Sequence, residues 1–230
     1  IAEGIAPDRA WKRARHDQEW QVGDSINASI GQGYVLASPL QLAVMTARVA
    51  TGREIAPRLV RAVNGVAVPE TAFPELGLNE AHLRIARAGM DAVMNGNHGT
   101  ALRSRILTPE WRMAGKAGTS QVRNITAAER ARGVISNDQL PWNRRDHALF
   151  VCYAPVDAPR YAVSVVVEHG GGGGSVAAPI GRDILLFALA GGLPPLDAYP
   201  PGQRGGIEEM RARMNLTPPP APQANGRARA

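Results

Sequence analysis

The chain has 230 residues, a hydrophobic fraction of 44% and a formal net charge of +6, which suit one folded domain or most of a larger one. Its basic residues, 24 arginines and two lysines, are scattered among acids without a basic stripe or a nucleic-acid-binding motif, so nucleic acid is not an expected partner. A single cysteine excludes an internal disulfide and a cysteine-based metal site, and the strongly apolar runs are too short to span a bilayer.

The first part of the chain changes from irregular to helical. Residues 1–22 are polar and basic without periodicity, which indicates an irregular N-terminal connection. Further on, Ser38 is a candidate N-cap, Pro39 suits a first helical turn, and Gln41 completes a capping box. With Gly52 as the stop, these signals predict a helix over residues 39–51.

The middle of the chain carries further helix signals. Residues 53–63 are typical of an extended, turn-rich segment, and residues 99–106 of a short helix. Asn79 as N-cap and Gly96 as stop predict a helix between them, and Thr126 with Glu129 forms a second capping box.

Three strands and a closing helix follow. "WRMAGKAGTSQV" (111–122) predicts one strand, and "DHALFVCYAP" and "RYAVSVVVEHG" predict a hairpin joined by "VDAP". Both hairpin strands are apolar on both faces, so an antiparallel sheet flanked by helices is expected, an α/β (α+β) class. The last helix is predicted over 176–190. Residues 193–230 form a Pro-rich tail whose end is expected to be disordered.

The stretch "KAGTS" contains one of only two lysines. In a strand, Lys116, Gly118 and Ser120 point to one face, whereas Ala117 and Thr119 point to the other. Gly118 allows close approach, Lys116 supplies a fixed cation, and the amides of an edge strand are free to pair with an extended peptide. Taken alone, the stretch is a weak signal, because a tight turn or an ordinary strand with a surface lysine has the same pattern.

A longer pattern adds a family resemblance. "GDSINASIGQGYVLASPLQLA" (23–43), "HGTA" (98–101) and "KAGTSQV" (116–122), followed by the hairpin, a Gly-rich loop and a last helix, occur in the order seen in class B penicillin-binding proteins. Residues 20–192 most resemble the penicillin-binding protein 2 group of Gram-negative bacteria. The resemblance implies a β-lactamase/transpeptidase-like fold, with residues 23–192 as the C-terminal part of a transpeptidase domain.

The nucleophile motif of that family is absent from the sequence. The family acts through a serine in S-x-x-K, but the residues three before the two lysines are Arg9 and Met113. The serine is therefore expected upstream of Ile1, and the chain is expected to be inactive alone. "SIN" at Ser25–Asn27 resembles a second family motif, S-x-N, but lies inside the later G-Q-G-Y segment and is not assigned that role.

The resemblance also implies roles for the residues of the strand. Lys116 would supply positive charge to the proton-transfer network and the substrate carboxylate. The Thr119 backbone N–H would be an oxyanion donor, and its hydroxyl would bind the terminal carboxylate. Gly118 and Ser120 would contribute to substrate binding. Ala117 replaces the Ser or Thr of many relatives, which leaves more of the carboxylate binding to Thr119.

The expected partners follow from the same resemblance. They are the stem peptides of peptidoglycan, β-lactam antibiotics and membrane proteins of a cell-elongation complex, with no cofactor. The expected location is the periplasmic face of the inner membrane, through an N-terminal anchor absent from this chain. Two alternatives remain: a non-catalytic peptide-binding or scaffold module of the same fold, and a class D-type β-lactamase, which fits the G-Q-G-Y segment less well.

Several other residues are interpreted as structural. His98, His147 and His169 lack metal-ligand spacing, so no metal site is expected. "HGGGGGS" lacks the G-K-[ST] of a phosphate-binding loop and is predicted to be a flexible loop near the rim of the site. Gln32 is interpreted as structural, and Cys152 as a buried thiol. Residues 124–146 are predicted to be a surface or partner-binding insertion.

Overall fold

A computed structural model describes residues 3–69 and 72–216 of the chain. The helices are Arg9–His16 (α1), Val22–Ser29 (α2), Pro39–Thr51 (α3), Glu80–Asn95 (α4), Ala127–Arg132 (α5), Ala178–Ala190 (α6) and Pro201–Arg213 (α7). The strands are Ala62–Val63 (β1), Val66–Ala67 (β2), Ala114–Ser120 (β3), His147–Ala154 (β4) and Tyr161–Val167 (β5).

The main sheet has three antiparallel strands in the order β3-β4-β5. Alternate residues of β4 enter two different cores. Phe150 and Cys152 pack with Leu185 of α6, whereas Tyr153 packs with Ala50 of α3 on the opposite face. Helices therefore cover both faces of the sheet, and the predicted antiparallel α/β arrangement is confirmed.

The capping signals locate the central helices correctly. The Ser38 hydroxyl accepts the Gln41 N–H at the start of α3, and Gly52 ends that helix with a φ of 70°. Asn79 caps α4 in the same way, and Thr126 caps α5. The predicted helix over 99–106 is limited to one 3₁₀ turn at Leu102–Ser104.

Cys152 is fully buried in the core of β4, as expected. Burial raises the pKa of its thiol because the charged thiolate would lose its solvation by water. We expect Cys152 to resist iodoacetamide in the native intact protein and to be alkylated completely after denaturation, as measured by mass spectrometry of its peptide. Alkylation at equal rates in both states would contradict this packing.

The N-terminal segment differs from its prediction. Residues 9–16 form α1 rather than an irregular connection, because Asp8 caps the helix and Lys12 is buried against α2. The Lys12 ammonium lies 2.6 Å from the Asp24 carboxylate, which also accepts the Gln21 backbone N–H. Asp24 thus closes the capping box of α2 and joins α2 to α1.

This ion pair predicts a pH dependence. The hydrogen bond from Lys12 and then that from the Gln21 N–H lower the pKa of Asp24. Its contribution to stability is therefore present above the ordinary carboxyl pKa of about 4 and is lost as the pH falls through the lower folded-state value. We expect Asp24→Asn to lower the melting temperature of the intact protein near neutral pH.

The difference from wild type should shrink as the pH falls below about 4. The matched control is Glu19→Gln, since the Glu19 pair with Arg13 is exposed on the surface. This control should change the melting temperature little across the same range. A difference between Asp24→Asn and wild type that persists unchanged in acid would contradict the assignment.

The C-terminal segment is also more ordered than predicted. Residues 201–213 form α7, which the Pro-rich composition did not indicate. The segment is held by tertiary contacts: the buried Tyr199 ring carries the Arg182 guanidinium 4.8 Å from its centroid, and Ile207 packs against the main core. The predicted disorder of the tail's end falls on residues 217–230, outside the described residues.

The last core helix is extended at its N-terminal end. A π-helical turn at Gly173–Ala177 runs directly into α6, and together they give 18 residues that are long and apolar enough to cross a membrane by length and composition. The expectation that every apolar run is too short is therefore wrong by this criterion. Leu185 and Leu186 of this helix are buried in the main core.

Candidate active site

Within the described residues β3 pairs only with β4, so its other side is a free edge. Two backbone carbonyls of β3 accept hydrogen bonds from side chains rather than from β4, which shows that they point to the free edge. Thr119 O accepts a hydrogen bond from the Gln32 side chain, and Ala117 O accepts one from the Lys116 ammonium. The N–H and C=O of one residue of an antiparallel strand lie on the same side, so the Thr119 N–H also faces the free edge.

A groove of about 510 Å³ runs beside this edge. One wall is β3 with part of β4, and the other is the segment 29–37 with Leu42 and Met45 of α3. Lys116 is the only charged residue among those that line it, and no acidic residue is present. The groove therefore offers one cation and the edge N–H groups of Ala117 and Thr119 to a ligand, whereas the carbonyls of these two residues accept hydrogen bonds from Lys116 and Gln32.

The residues of β3 divide between the two faces in the alternating pattern expected for a strand. Ala117 packs against the main core on the α6 side, whereas Lys116 is exposed on the groove side. Gly118 lies above Leu149, and a β-carbon there would be 3.5 Å from the Leu149 β-carbon, an ordinary contact. Thr119 is exposed at the edge, and Ser120 pairs with His147 at the end of the strand.

Gln32 is the residue that sequence reasoning missed. Its Nε2 donates to Thr119 O at 2.5 Å, across 87 positions of sequence. The neighbouring glycines Gly31 and Gly33 have positive φ values of 73° and 69°, which turn the chain so that Gln32 reaches the strand. The sequence shows a lone polar residue between two glycines. It does not show that Thr119 is the partner of that residue.

The Gly-rich segment is packed rather than flexible, which corrects its prediction. Gly171 and Gly173 are buried, and Gly173 lies directly on the ladder between β3 and β4. A β-carbon at Gly173 would collide with the Leu149 carbonyl oxygen and lie 2.5 Å from that of Gly118. Only glycine permits this approach, so the loop supports the strand from behind the site.

Gly173→Ala is expected to displace β3 at the candidate site. The added methyl group must push either the loop or Gly118 aside, an overpacking cost of about 1–3 kcal/mol. We expect a lower melting temperature and slower acylation of the intact protein by a penicillin. Gly172→Ala is the matched control, because Gly172 is exposed with a φ of −96° and faces only the Ser175 side chain. Equal effects of the two substitutions would contradict the packing.

The insertion 124–146 is closed by its own polar contacts. Arg123 binds both carboxylate oxygens of Glu129 at 2.6 Å, which lowers the pKa of Glu129. Asp146 and Asn137 exchange hydrogen bonds at the base of the insertion, and Asp146 O accepts the Gly171 N–H. The insertion therefore joins the end of β3 to the Gly-rich loop.

Two of the three singled-out histidines meet beside this insertion. The rings of His147 and His169 are 4.7 Å apart, and His147 Nδ1 accepts the His169 backbone N–H at 2.9 Å. Trp142 packs edge-on against His169. Across residues 3–69 and 72–216, no group of three histidine, cysteine or acidic side chains is placed to hold a metal ion.

A family model matches most of the chain. The model described as "Penicillin binding protein transpeptidase domain" matches residues 7–186. The chain belongs to this family. The match includes α1, which the sequence-based domain boundary at residue 23 had placed outside, and the whole β3–β5 sheet.

Known relatives of this transpeptidase-domain chain are peptidoglycan D,D-transpeptidases. The Haemophilus influenzae enzyme MrdA is 34% identical over 221 residues, which cover 91% of this chain and 33% of that protein. The Acinetobacter baumannii enzyme MrdA is 36% identical over 184 residues, covering 76% and 26%. The chain thus spans about a third of the length of these relatives and represents part of a transpeptidase domain.

Solved structures show the same fold. Pseudomonas aeruginosa PBP2 in complex with WCK 5153 has a TM-score of 0.64 at 35% identity, covering 86% of this chain and 42% of that one. Helicobacter pylori PBP2 in complex with MreC has a TM-score of 0.63 at 32% identity, covering 81% and 31%. The predicted family, subgroup and transpeptidase-like fold of the chain are confirmed.

Proposed function

We propose that the intact protein is a serine D,D-transpeptidase that cross-links the stem peptides of peptidoglycan, and that this chain supplies the substrate-binding wall of its active site. The observation that carries the proposal is the free edge of β3, where the backbone groups of Ala117 and Thr119 lie beside Lys116. An extended peptide adds to such an edge through backbone hydrogen bonds. The D,D-transpeptidase activity of the relatives supports the same function.

The chemistry is proposed as acyl transfer through a serine that lies outside these 230 residues, which contain no S-x-x-K. The serine oxygen attacks the carbonyl before the terminal D-alanine, loses its proton to a basic partner, and expels D-alanine as the leaving amine. An amine of a second stem peptide then takes the acyl group and releases the serine. Both steps pass through an oxyanion, to which the Thr119 N–H is proposed to donate a hydrogen bond.

Lys116 and Thr119 have further proposed roles in this reaction. Lys116 is the only cation among the described residues that line the groove, and its charge favours both the terminal carboxylate of the peptide and the developing oxyanion. The Thr119 hydroxyl, exposed at the edge, binds that carboxylate. Gly118 and Ser120, which also line the groove, contribute to substrate binding.

The partners and location are proposed on the same basis. A β-lactam antibiotic resembles the acyl-D-alanyl end of the peptide and acylates the same serine. The complex of Helicobacter pylori PBP2 with MreC supports a membrane-protein partner in a cell-elongation complex. The intact protein is placed at the periplasmic face of the inner membrane, where its substrate is.

Labelling with a fluorescent penicillin tests the proposal. We expect the intact protein to be labelled covalently at one serine outside this chain, and the 230-residue chain alone to remain unlabelled. Mass spectrometry of the labelled peptide identifies the serine. Absence of label on the intact protein, with stem-peptide binding retained, would favour the non-catalytic peptide-binding module instead.

A further inference from the structure

A second cavity, of about 410 Å³, lies beyond the C-terminal end of β3. Gln32 lines both this cavity and the groove, so the two are neighbours separated by its side chain. Polar side chains dominate the lining, which consists of Asn27, Gln32, Gly33, Gln121, Val122, Arg123, Asn124, Ile125 and Arg130.

The charge of this polar cavity is positive. Two arginines line it and no acidic residue does. Arg123 is neutralised by Glu129, which binds it through both oxygens. Arg130 has an exposed side chain and forms no ion pair with any residue in the described ranges, so its charge is available to a ligand.

The direction of a bound peptide follows from the two ends of β3. If the terminal carboxylate lies near Lys116 and Thr119, the rest of the peptide must leave along the strand edge. The N-terminal end of the strand is closed, because Met113 and Ala114 are fully buried. The other end opens past Ser120 into the polar cavity.

The distance suits a short peptide. β3 ends at Ser120, which lines the groove, and the next residue, Gln121, lines the polar cavity. One residue of an extended chain rises about 3.3 Å, so the cavity begins one such step beyond the groove. A peptide extended along the edge reaches the cavity with the residues that precede its terminal pair. The carboxamides of Asn27, Gln121 and Asn124 add hydrogen-bond donors around the Arg130 charge.

We infer that the polar cavity is a subsite for a free carboxylate carried by the substrate peptide upstream of its terminal D-alanyl pair, with Arg130 as its cation. The inference rests on the proposed function and names a specificity determinant for it. An arginine offers a planar pair of donors to a carboxylate, no acidic residue lines either cavity, and the nearby Glu129 is paired with Arg123. Because Gln32 lines both cavities, the same peptide passes it on the way from one to the other.

The test compares two donor peptides on the intact protein. Both end in D-alanyl-D-alanine and differ only in one upstream group, a free carboxylate in one and a carboxamide in the other. The release of D-alanine gives kcat/KM for each. We expect the wild type to prefer the carboxylate peptide by roughly twofold to fivefold, the range for an ion pair with an exposed arginine.

The variants isolate Arg130. Arg130→Gln is expected to reduce the preference to near one, whereas Arg130→Lys retains part of it. Arg132→Gln is the matched control, since Arg132 is an exposed arginine of the same helix outside the cavity lining, and it should keep the wild-type preference.

Three results would overturn the inference. The first is a wild-type protein that does not discriminate between the peptides, and the second is an equal loss of preference in Arg130→Gln and Arg132→Gln. The third is an Arg130→Gln protein that keeps the wild-type preference, since another group would then bind the carboxylate. Penicillin labelling of the wild type separates the two proposals: labelling without discrimination defeats the subsite alone, and no labelling defeats the proposed function with it.

Discussion

Lys116→Gln is expected to slow acylation of the intact protein by a penicillin by about 10²–10³-fold. Among the described residues that line the groove, Lys116 is the only charged one, so no other side chain of this chain supplies a cation there. Loss of one preorganised group that stabilises a developing oxyanion typically has an effect of about this size. Stopped-flow acylation with a chromogenic cephalosporin measures the rate.

Two comparisons show whether the charge or the shape of Lys116 matters. Lys116→Arg keeps the charge but changes a compact ammonium to a planar fork, so it should recover only part of the rate. Near-ultraviolet circular dichroism of each variant checks that the fold is retained. Acylation of a folded Lys116→Gln protein at the wild-type rate would remove Lys116 from the mechanism.

Thr119→Val is expected to weaken acylation by roughly tenfold to a hundredfold. The substitution keeps the shape of the side chain and the backbone N–H but removes the hydroxyl proposed to bind the substrate carboxylate, a charge-assisted hydrogen bond of about 1.5–3 kcal/mol. Ala117 carries no hydroxyl that substitutes for it. The second-order acylation constant with a labelled penicillin measures the effect.

Thr119→Ser serves as the control, because it retains the hydroxyl while losing only a methyl group at an exposed position. It should remain within a few-fold of the wild type. If Thr119→Val is acylated as fast as Thr119→Ser, the carboxylate is bound by another group, and the role of Thr119 is limited to its backbone.

The sequence predicted the elements that depend on short-range signals. Ser38, Asn79 and Thr126 cap helices within three residues of themselves, and the alternation of "KAGTS" requires only the geometry of one strand. The hairpin of β4 and β5 follows from two apolar runs and a short turn. Each signal is complete within a few positions, so no knowledge of the tertiary structure was needed.

The elements that the sequence did not predict depend on distant partners. Lys12 is buried only because Asp24 neutralises it on another helix, and α7 is fixed through contacts such as that of Ile207 with the core. A Gly-rich segment indicates flexibility unless a neighbouring strand ladder is known to lie against it, as at Gly173. Only one wall of the candidate site, the strand β3, was predicted, because the other wall depends on contacts between residues distant in the sequence. Its second wall, with Gln32, is joined to the strand only by folding.

The free edge of β3 also has a consequence for the handling of the protein. An unpaired strand edge binds any extended backbone that reaches it, including the same edge of another copy. Lys116 places a charge at this edge, and two such edges brought together would bring their ammonium groups close to each other. The residue proposed to attract the substrate carboxylate would thus also disfavour self-association, and its replacement by a neutral residue should make concentrated solutions more prone to aggregate.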